Sequence, residues 1–237
     1  MDFETKFLLF LGLPSILFLI WIFFKDKKSR RLKTDYLRSI GFQDCPTRAN
    51  ELKAKARRIA CMDNADFSEK QFSVSNPVCI TSGEEEIFHF FFTQIIGGSR
   101  YRTAIAQEVF LFPFQRNTGD AVALFLHPMD VKGMKRKIGA YVTGVREARG
   151  MDELQMPREL QDGHLMAVFG KPNGSKTLYE LVDQATISTL LSGVQYGVAA
   201  FQARDNLAML SMSCLSWGKP EALKPLWPFV QGVAGMR

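Results

Sequence analysis

No Cys-x-x-Cys pair occurs in this chain, and its four cysteines, Cys45, Cys61, Cys79 and Cys214, lie far apart. That spacing gives neither a zinc motif nor a disulfide framework, and it favours reduced thiols in a cytoplasmic compartment. The three histidines, His89, His127 and His164, are also isolated, with no ligand-type neighbour at metal-binding spacing, so no metal is expected. No Gly-x-Ser-x-Gly elbow is present and no Cys–His pairing can be argued, which removes two familiar signatures of nucleophilic catalysis. Internal repeats and low-complexity tracts are missing as well. With 46% hydrophobic and 23% charged residues, the 237-residue chain can build a packed core, which argues against wholesale disorder.

Charge is absent from residues 7–24, FLLFLGLPSILFLIWIFF, eighteen positions in all. A helix of that length reaches roughly 27 Å, close to the hydrocarbon thickness of a bilayer. A cleaved signal peptide fits poorly, because the start is acidic, the apolar run is longer than such peptides use, and no small-residue cleavage site follows. A buried core helix would rarely be apolar on every face and then abut KDKKSRR. The segment reads as a single transmembrane helix, kinked at Pro14, with Trp21 and its flanking phenylalanines suited to the interface.

The net charge of +6 is concentrated in one place: residues 25–38, KDKKSRRLKTDYLR, hold seven basic and two acidic side chains. The body from 39 to 237 is left nearly balanced, so a spread nucleic-acid-binding face is not expected. Basic residues immediately after an apolar span place that side in the cytoplasm. The expected organisation is a short extracytoplasmic N-terminus (1–6), a transmembrane helix (7–24), a basic juxtamembrane linker (25–40) and a cytoplasmic α+β domain (41–237) at the inner (plasma) membrane of a bacterial-type cell. Lys25, Lys27, Lys28, Arg30, Arg31 and Lys33 are expected at the membrane surface. They serve there as topogenic charge and, in a sharper reading, as a sensor of anionic lipid.

Within the body, Asp44 followed by Pro46 suggests an N-cap and first turn, and apolar residues from Ala49 to Ala60 recur at helical spacing, predicting a helix over 44–62. The period then changes to two. Strands are expected over 71–80, 85–96, 101–114 and 121–128, with short turns between them, giving an antiparallel meander. Residues 146–163 carry no strong pattern and mark a candidate subdivision. Further on, a strand at 164–169, a helix at 176–191 and a hairpin of 196–203 with 207–213 are expected, the hairpin turning at Arg204-Asp205-Asn206. A helix start at Pro220 is followed by Pro225 and Pro228, expected to break or kink whatever forms. The fold class is α+β, a mostly antiparallel sheet with two or three packed helices.

Two features invite a functional reading. GKPNGSKT, residues 170–177, places Gly170, Lys176 and Thr177 where a phosphate-binding loop would, but Ser175 replaces the second glycine and no parallel β-α-β framework follows. A strand-to-helix turn capped by Ser175 is the preferred reading. The phenylalanines are the second feature: Phe88, Phe90 and Phe92 share one strand face, and Phe110, Phe112 and Phe114 share another. If the strands pair, the six rings are expected to form one aromatic layer, either plain core or the wall of an apolar ligand pocket. The cluster Lys132, Lys135, Arg136 and Lys137 reads as a solvated loop. With no catalytic set and no cofactor expected, the function expected is a membrane-anchored binding or assembly module. Its partners would be membrane lipid and another protein of a membrane complex, and the alternatives are a tethered nucleotide-binding protein or a lipid carrier.

Overall fold

The computed structural model describes residues 21, 24–60, 68–83, 85–96, 103–114, 121–126, 152–153, 165–170, 198–204, 206–213, 220–224 and 226–235. Among them no helix is long and apolar enough to cross a membrane. Of the apolar run 7–24, only Trp21 and Phe24 fall within the described residues, and both are helical. The expected helix over 176–191 and the basic cluster at 132–137 lie outside them.

Three α-helices and nine strands are described. The helices are α1 (24–39), α2 (Ala49–Ile59) and α3 (Leu226–Ala234). The strands are β1 (Gln43–Asp44), β2 (Phe72–Ser82), β3 (Glu85–Ile96), β4 (Thr103–Pro113), β5 (Ala121–Leu126), β6 (Asp152–Glu153), β7 (Leu165–Gly170), β8 (Val198–Arg204) and β9 (Leu207–Ser213). All nine join one sheet, ordered β1-β2-β3-β4-β9-β8-β5-β7-β6, and every pairing is antiparallel. The α+β class holds, and alternation in the sequence located the strands well. The simple meander does not hold: β2, β3 and β4 are successive neighbours, but β9 lies beside β4 while β5 sits between β8 and β7. Short turns indicate hairpins, but they do not say which hairpin docks on which edge. The 146–163 stretch also contains β6, which pairs with β7 at the far edge of the same sheet.

Register decides where the phenylalanines go. Phe90 lies opposite Val109 and His89 lies opposite Phe110, so the two triplets point to opposite faces, not into one layer. Phe88, Phe90 and Phe92 pack with Leu52, Ala56 and Ile59 of α2. Phe110, Phe112 and Phe114 pack with Leu37 of α1 and with Leu226, Val230 and Ala234 of α3. All six rings are buried, so they form the two cores of a helix–sheet–helix sandwich. β3 is covered on both sides, with Phe88, Phe90 and Phe92 on the α2 side and Ile87 on the α1/α3 side.

Helix ends account for the other differences. Residues 25–39 of the segment expected as a juxtamembrane linker (25–40) are helical and make up most of α1, which stops at Gly41. Phe42 N–H donates to Leu37 O and Gly41 N–H to Arg38 O, each at 3.1 Å, with Gly41 at φ +106°. This is a Schellman stop, completed by Leu37 and Phe42 in one apolar cluster. Asp44 is not a helix cap. It belongs to β1, Pro46–Arg48 form a single 3-10 turn, and α2 begins only at Ala49. At the C-terminus, Pro228 is the third residue of α3, in the first turn where its missing N–H is harmless, so it does not break the helix.

Candidate functional site

Two constellations converge on α1. The first is the way this helix docks. Ser29, Lys33, Thr34 and Leu37 are buried and recur at helical spacing along one stripe. Leu37 reaches the apolar core, and Lys33 lies one turn before it, over β3 and β4. There Lys33 Nζ donates to Oε2 of Glu108, and His89 Nε2–H donates to Oε1 of the same carboxylate at 3.0 Å. One buried carboxylate is thereby held by two donors from two other elements. The His89 ring stands edge-on to Phe110 at 4.8 Å and to Phe91 at 5.6 Å. The hydrogen bond to Glu108 leaves Nδ1 as the free ring nitrogen, and it is buried without a partner among the described residues.

The electrostatics follow from this packing. Burial pushes the Glu108 carboxyl up, but the hydrogen bond from His89 and the charge of Lys33 more than offset it, so the net shift is below the ordinary carboxylate value. Glu108 is therefore an ionised group in the core, stable only because its two partners remain in place. Side-chain exposures of 3% for Lys33, 5% for Glu108 and 0% for His89 give no substrate access, so the set acts as a clasp for α1 and not as a catalytic centre.

The second constellation opens to solvent on the same helix. Lys27, Arg30, Arg31, Thr34 and Arg38 form one wall of a groove of about 600 Å³, and Asp44, Pro46, Asn76 and Pro77 form the other. The far wall exists because β2 bulges between Ser75 and Val78, with Asn76 in the left-handed region at φ 51°. Pro77 has no N–H to give the ladder, and its carbonyl accepts from Cys45 N–H at 3.0 Å, tying β1 beside the bulge. Arg38 closes one end, gripping both oxygens of Asp44 at 2.8 and 2.9 Å and Asp35 at 2.8 Å. Arg30 bonds Asp26 at 2.8 Å and lies over the Phe91 ring at 4.8 Å. Arg31 meets Asp35 only loosely, at 3.8 Å, and Lys27 has no counter-ion among the described residues.

The six basic residues assigned to the membrane surface thus separate. Lys27, Arg30 and Arg31 line the groove, and Lys25 and Lys28 are exposed elsewhere on the helix, Lys25 lying 4.6 Å from the Trp21 ring. Lys33 is a correction: it is buried in the clasp and cannot meet a membrane surface. Gly170 ends β7, which is flanked by antiparallel partners on both sides, whereas a phosphate loop follows a strand of a parallel sheet. Lys176 and Thr177 lie outside the described residues. No cluster of metal-ligating side chains occurs among the described residues. Cys45 and Cys79 are free, and burial together with the neighbouring Cys79 pushes the Cys45 thiol up to about 12, which makes it a poor nucleophile.

Glu108 and Asn76 were missed in the sequence. Glu108 did leave a signal, because it falls in phase with Phe110, Phe112 and Phe114 on a face otherwise apolar, and a buried carboxylate there requires a partner. The Asn76-Pro77 pair inside a strand was the corresponding signal for a bulge. No family model, no curated protein and no solved structure matches the chain.

Proposed function

We propose that the chain is a single-pass membrane protein whose α+β body works in the cytoplasm as a binding or assembly module for another protein of a membrane complex. The observation that carries this reading is the buried clasp of Lys33, Glu108 and His89. It makes the basic helix that follows the uncharged run part of the folded body. A tether meant only to let a domain wander would need no buried charge, whereas a body that must meet a membrane-embedded partner in one orientation benefits from a helix locked onto its sheet. Exposed Phe24 at the start of that helix, and exposed Trp21 three residues before it in the sequence, have the apolar and amphipathic character of interfacial anchors.

The test is topology followed by company. A reporter fused after Arg237 is expected to be active only if it works in the cytoplasm, and activity of a periplasm-only reporter would refute the orientation. Gentle solubilisation of membranes is then expected to recover the chain with a partner protein, and a lone monomer would defeat the assembly reading. The alternative of a tethered nucleotide-binding protein is separated by ATP and GTP binding to the full chain. Binding that disappears in Lys176→Ala would overturn the non-enzymatic reading. The lipid-carrier alternative has lost its main support, since the two phenylalanine triplets face apart and are packed by helices.

A further inference from the structure

We infer that the groove between α1 and the β2 bulge is a binding site for a phosphate ester anion, held at the depth of lipid headgroups. The inference rests on the proposed membrane anchoring and names the ligand chemistry that the juxtamembrane helix takes.

Three observations support it. The first is arrangement: Lys27, Arg30, Arg31 and Arg38 are spaced three, one and seven residues apart, which puts four cations on one stripe of α1 facing one groove. A merely topogenic run has no reason to share a face, and Lys25 and Lys28 on the same helix do not join it. The second is electrostatic economy inside the groove. The one carboxylate among its described lining residues, Asp44, is already bonded through both oxygens to Arg38, so an entering anion meets a neutralised wall at that end. Lys27 and Arg31 remain, one with no counter-ion among the described residues and the other with a loose pair on a side chain that is 84% exposed. Arg30, bonded to Asp26 through Nε at 2.8 Å and fixed over Phe91, holds a rigid guanidinium between them whose two terminal nitrogens suit phosphate oxygens.

The third observation is depth. At about 1.5 Å per residue, Lys27 to Arg31 lie roughly 5–10 Å along the helix beyond residue 24, where the uncharged run ends. The headgroup zone occupies about that thickness outside the hydrocarbon. A phosphodiester of an anionic lipid is therefore the nearest source of the ligand, with a soluble phosphate compound as the other source of the same chemistry. The bulge supplies the opposite wall, and the Asn76 side chain there offers amide donors that carry no charge.

The experiment uses the full chain in nanodiscs of phosphatidylcholine with an equal part of phosphatidylglycerol, released gently into a mass spectrometer to count retained lipids. Incorporation into the disc reports the anchor by itself, so failure of the groove and failure of the membrane reading are seen separately. Wild type is expected to retain phosphatidylglycerol selectively. Lys27→Glu with Arg31→Glu is expected to lower that selectivity about ten-fold further than Lys25→Glu with Lys28→Glu, an equal charge change off the groove. All four side chains are exposed, and a matched thermal midpoint for the two double variants controls for folding. A second arm adds pyrophosphate to discs of phosphatidylcholine alone. A rise in thermal midpoint that the groove variant loses assigns a soluble phosphate as the source. Equal losses in the two variants, or no retained anionic lipid together with no response to pyrophosphate, would overturn the site.

Discussion

The two faces of the sheet are built from the same residue type and held by different physics. On the α2 face, Phe88, Phe90 and Phe92 meet Leu52, Ala56 and Ile59 in an apolar cluster, and its cations, Arg48 and Lys55 at the edge and the buried Arg57, lie over ring faces. On the α1/α3 face, Phe110, Phe112 and Phe114 form an equally apolar core, but the same face also encloses a lysine, a glutamate and a histidine. Burial of hydrocarbon is non-directional and lets a helix slide. A buried lysine, by contrast, has one acceptable position, because any displacement from Glu108 leaves two uncompensated charges. The difference suggests that α2 is there to complete the core and α1 is there to be fixed in register, consistent with the proposed anchor at its start.

The largest effects should come from attacking each face with its own weakness, measured by denaturant unfolding of the full chain in detergent. Phe90→Ala leaves a void on the α2 face and is expected to destabilise by about 3–5 kcal/mol. Lys33→Met is expected to cost a similar amount, about 3–5 kcal/mol, because it strands the buried Glu108. The two differ in rescue. Adding Glu108→Gln to Lys33→Met removes the stranded charge while keeping an acceptor for His89, so most of the loss should return. No charge change rescues Phe90→Ala. If the double variant is as unstable as Lys33→Met, the clasp is ordinary packing and the contrast between the faces collapses.

Acid should separate the faces next. Glu108 has a native pKa below its ordinary 4.5, so the unfolded chain binds its proton more readily than the folded one. Its contribution to stability is complete above that ordinary value and is lost as pH falls through the lower native value. Wild type should therefore lose stability more steeply below about pH 4.5 than the Lys33→Met/Glu108→Gln variant, which lacks that carboxylate. Phe90→Ala should retain the wild-type slope. Parallel slopes for wild type and the clasp variant would remove Glu108 from the acid response.

Much of the α2 face was legible in the sequence, because apolar residues at helical spacing in 49–60 and at period two in 85–96 are a direct record of burial. The α1 face was only half legible. Its docking stripe is Ser29, Lys33, Thr34 and Leu37, three polar residues and one apolar, so hydrophobic periodicity could not reveal it. Lys33 in particular was indistinguishable from its neighbours in a run of cations, since what distinguishes it is a carboxylate 75 residues away. The error over the phenylalanines had another cause. Each triplet is visible in its own strand, but whether two strands place their triplets on one face or on two depends on a one-residue choice of register that is set by pairing, not by either sequence alone. The groove was hidden for the same reason, since its walls come from an α1 stripe and a bulge in β2.

A smaller effect tests how α1 ends. Gly41 sits at φ +106°, and an added Cβ would approach Ile80 Cδ1 at 3.3 Å. Gly41→Ala is expected to destabilise by about 1–2 kcal/mol, because an L side chain resists that backbone and the Schellman bonds depend on it. A change near zero would mean that the clasp alone fixes where α1 stops, and that the stop in the sequence is redundant.

The smallest effect should come from the most conspicuous charges on the α2 face. Arg48 bonds Glu51, reaches Glu86 at 3.0 Å and lies 4.8 Å from the centre of the Phe88 ring, joining α2 to β3. The bonds to Glu51 and Glu86 raise its pKa further above an already high value, while Arg48 first and Lys55 second hold Glu51 down to about 2. Yet these side chains are roughly a third exposed, and solvent screens what they gain. Arg48→Met should thus cost less than about 1 kcal/mol while letting the Glu51 carboxyl titrate visibly higher by NMR. The two readouts together are the informative part: a large pKa response with a small stability loss is what a solvated ion pair does, whereas Lys33→Met should raise the Glu108 pKa and cost stability together. A loss above about 2 kcal/mol for Arg48→Met would mean that charge fixes α2 as firmly as it fixes α1, and the two faces would no longer differ in kind.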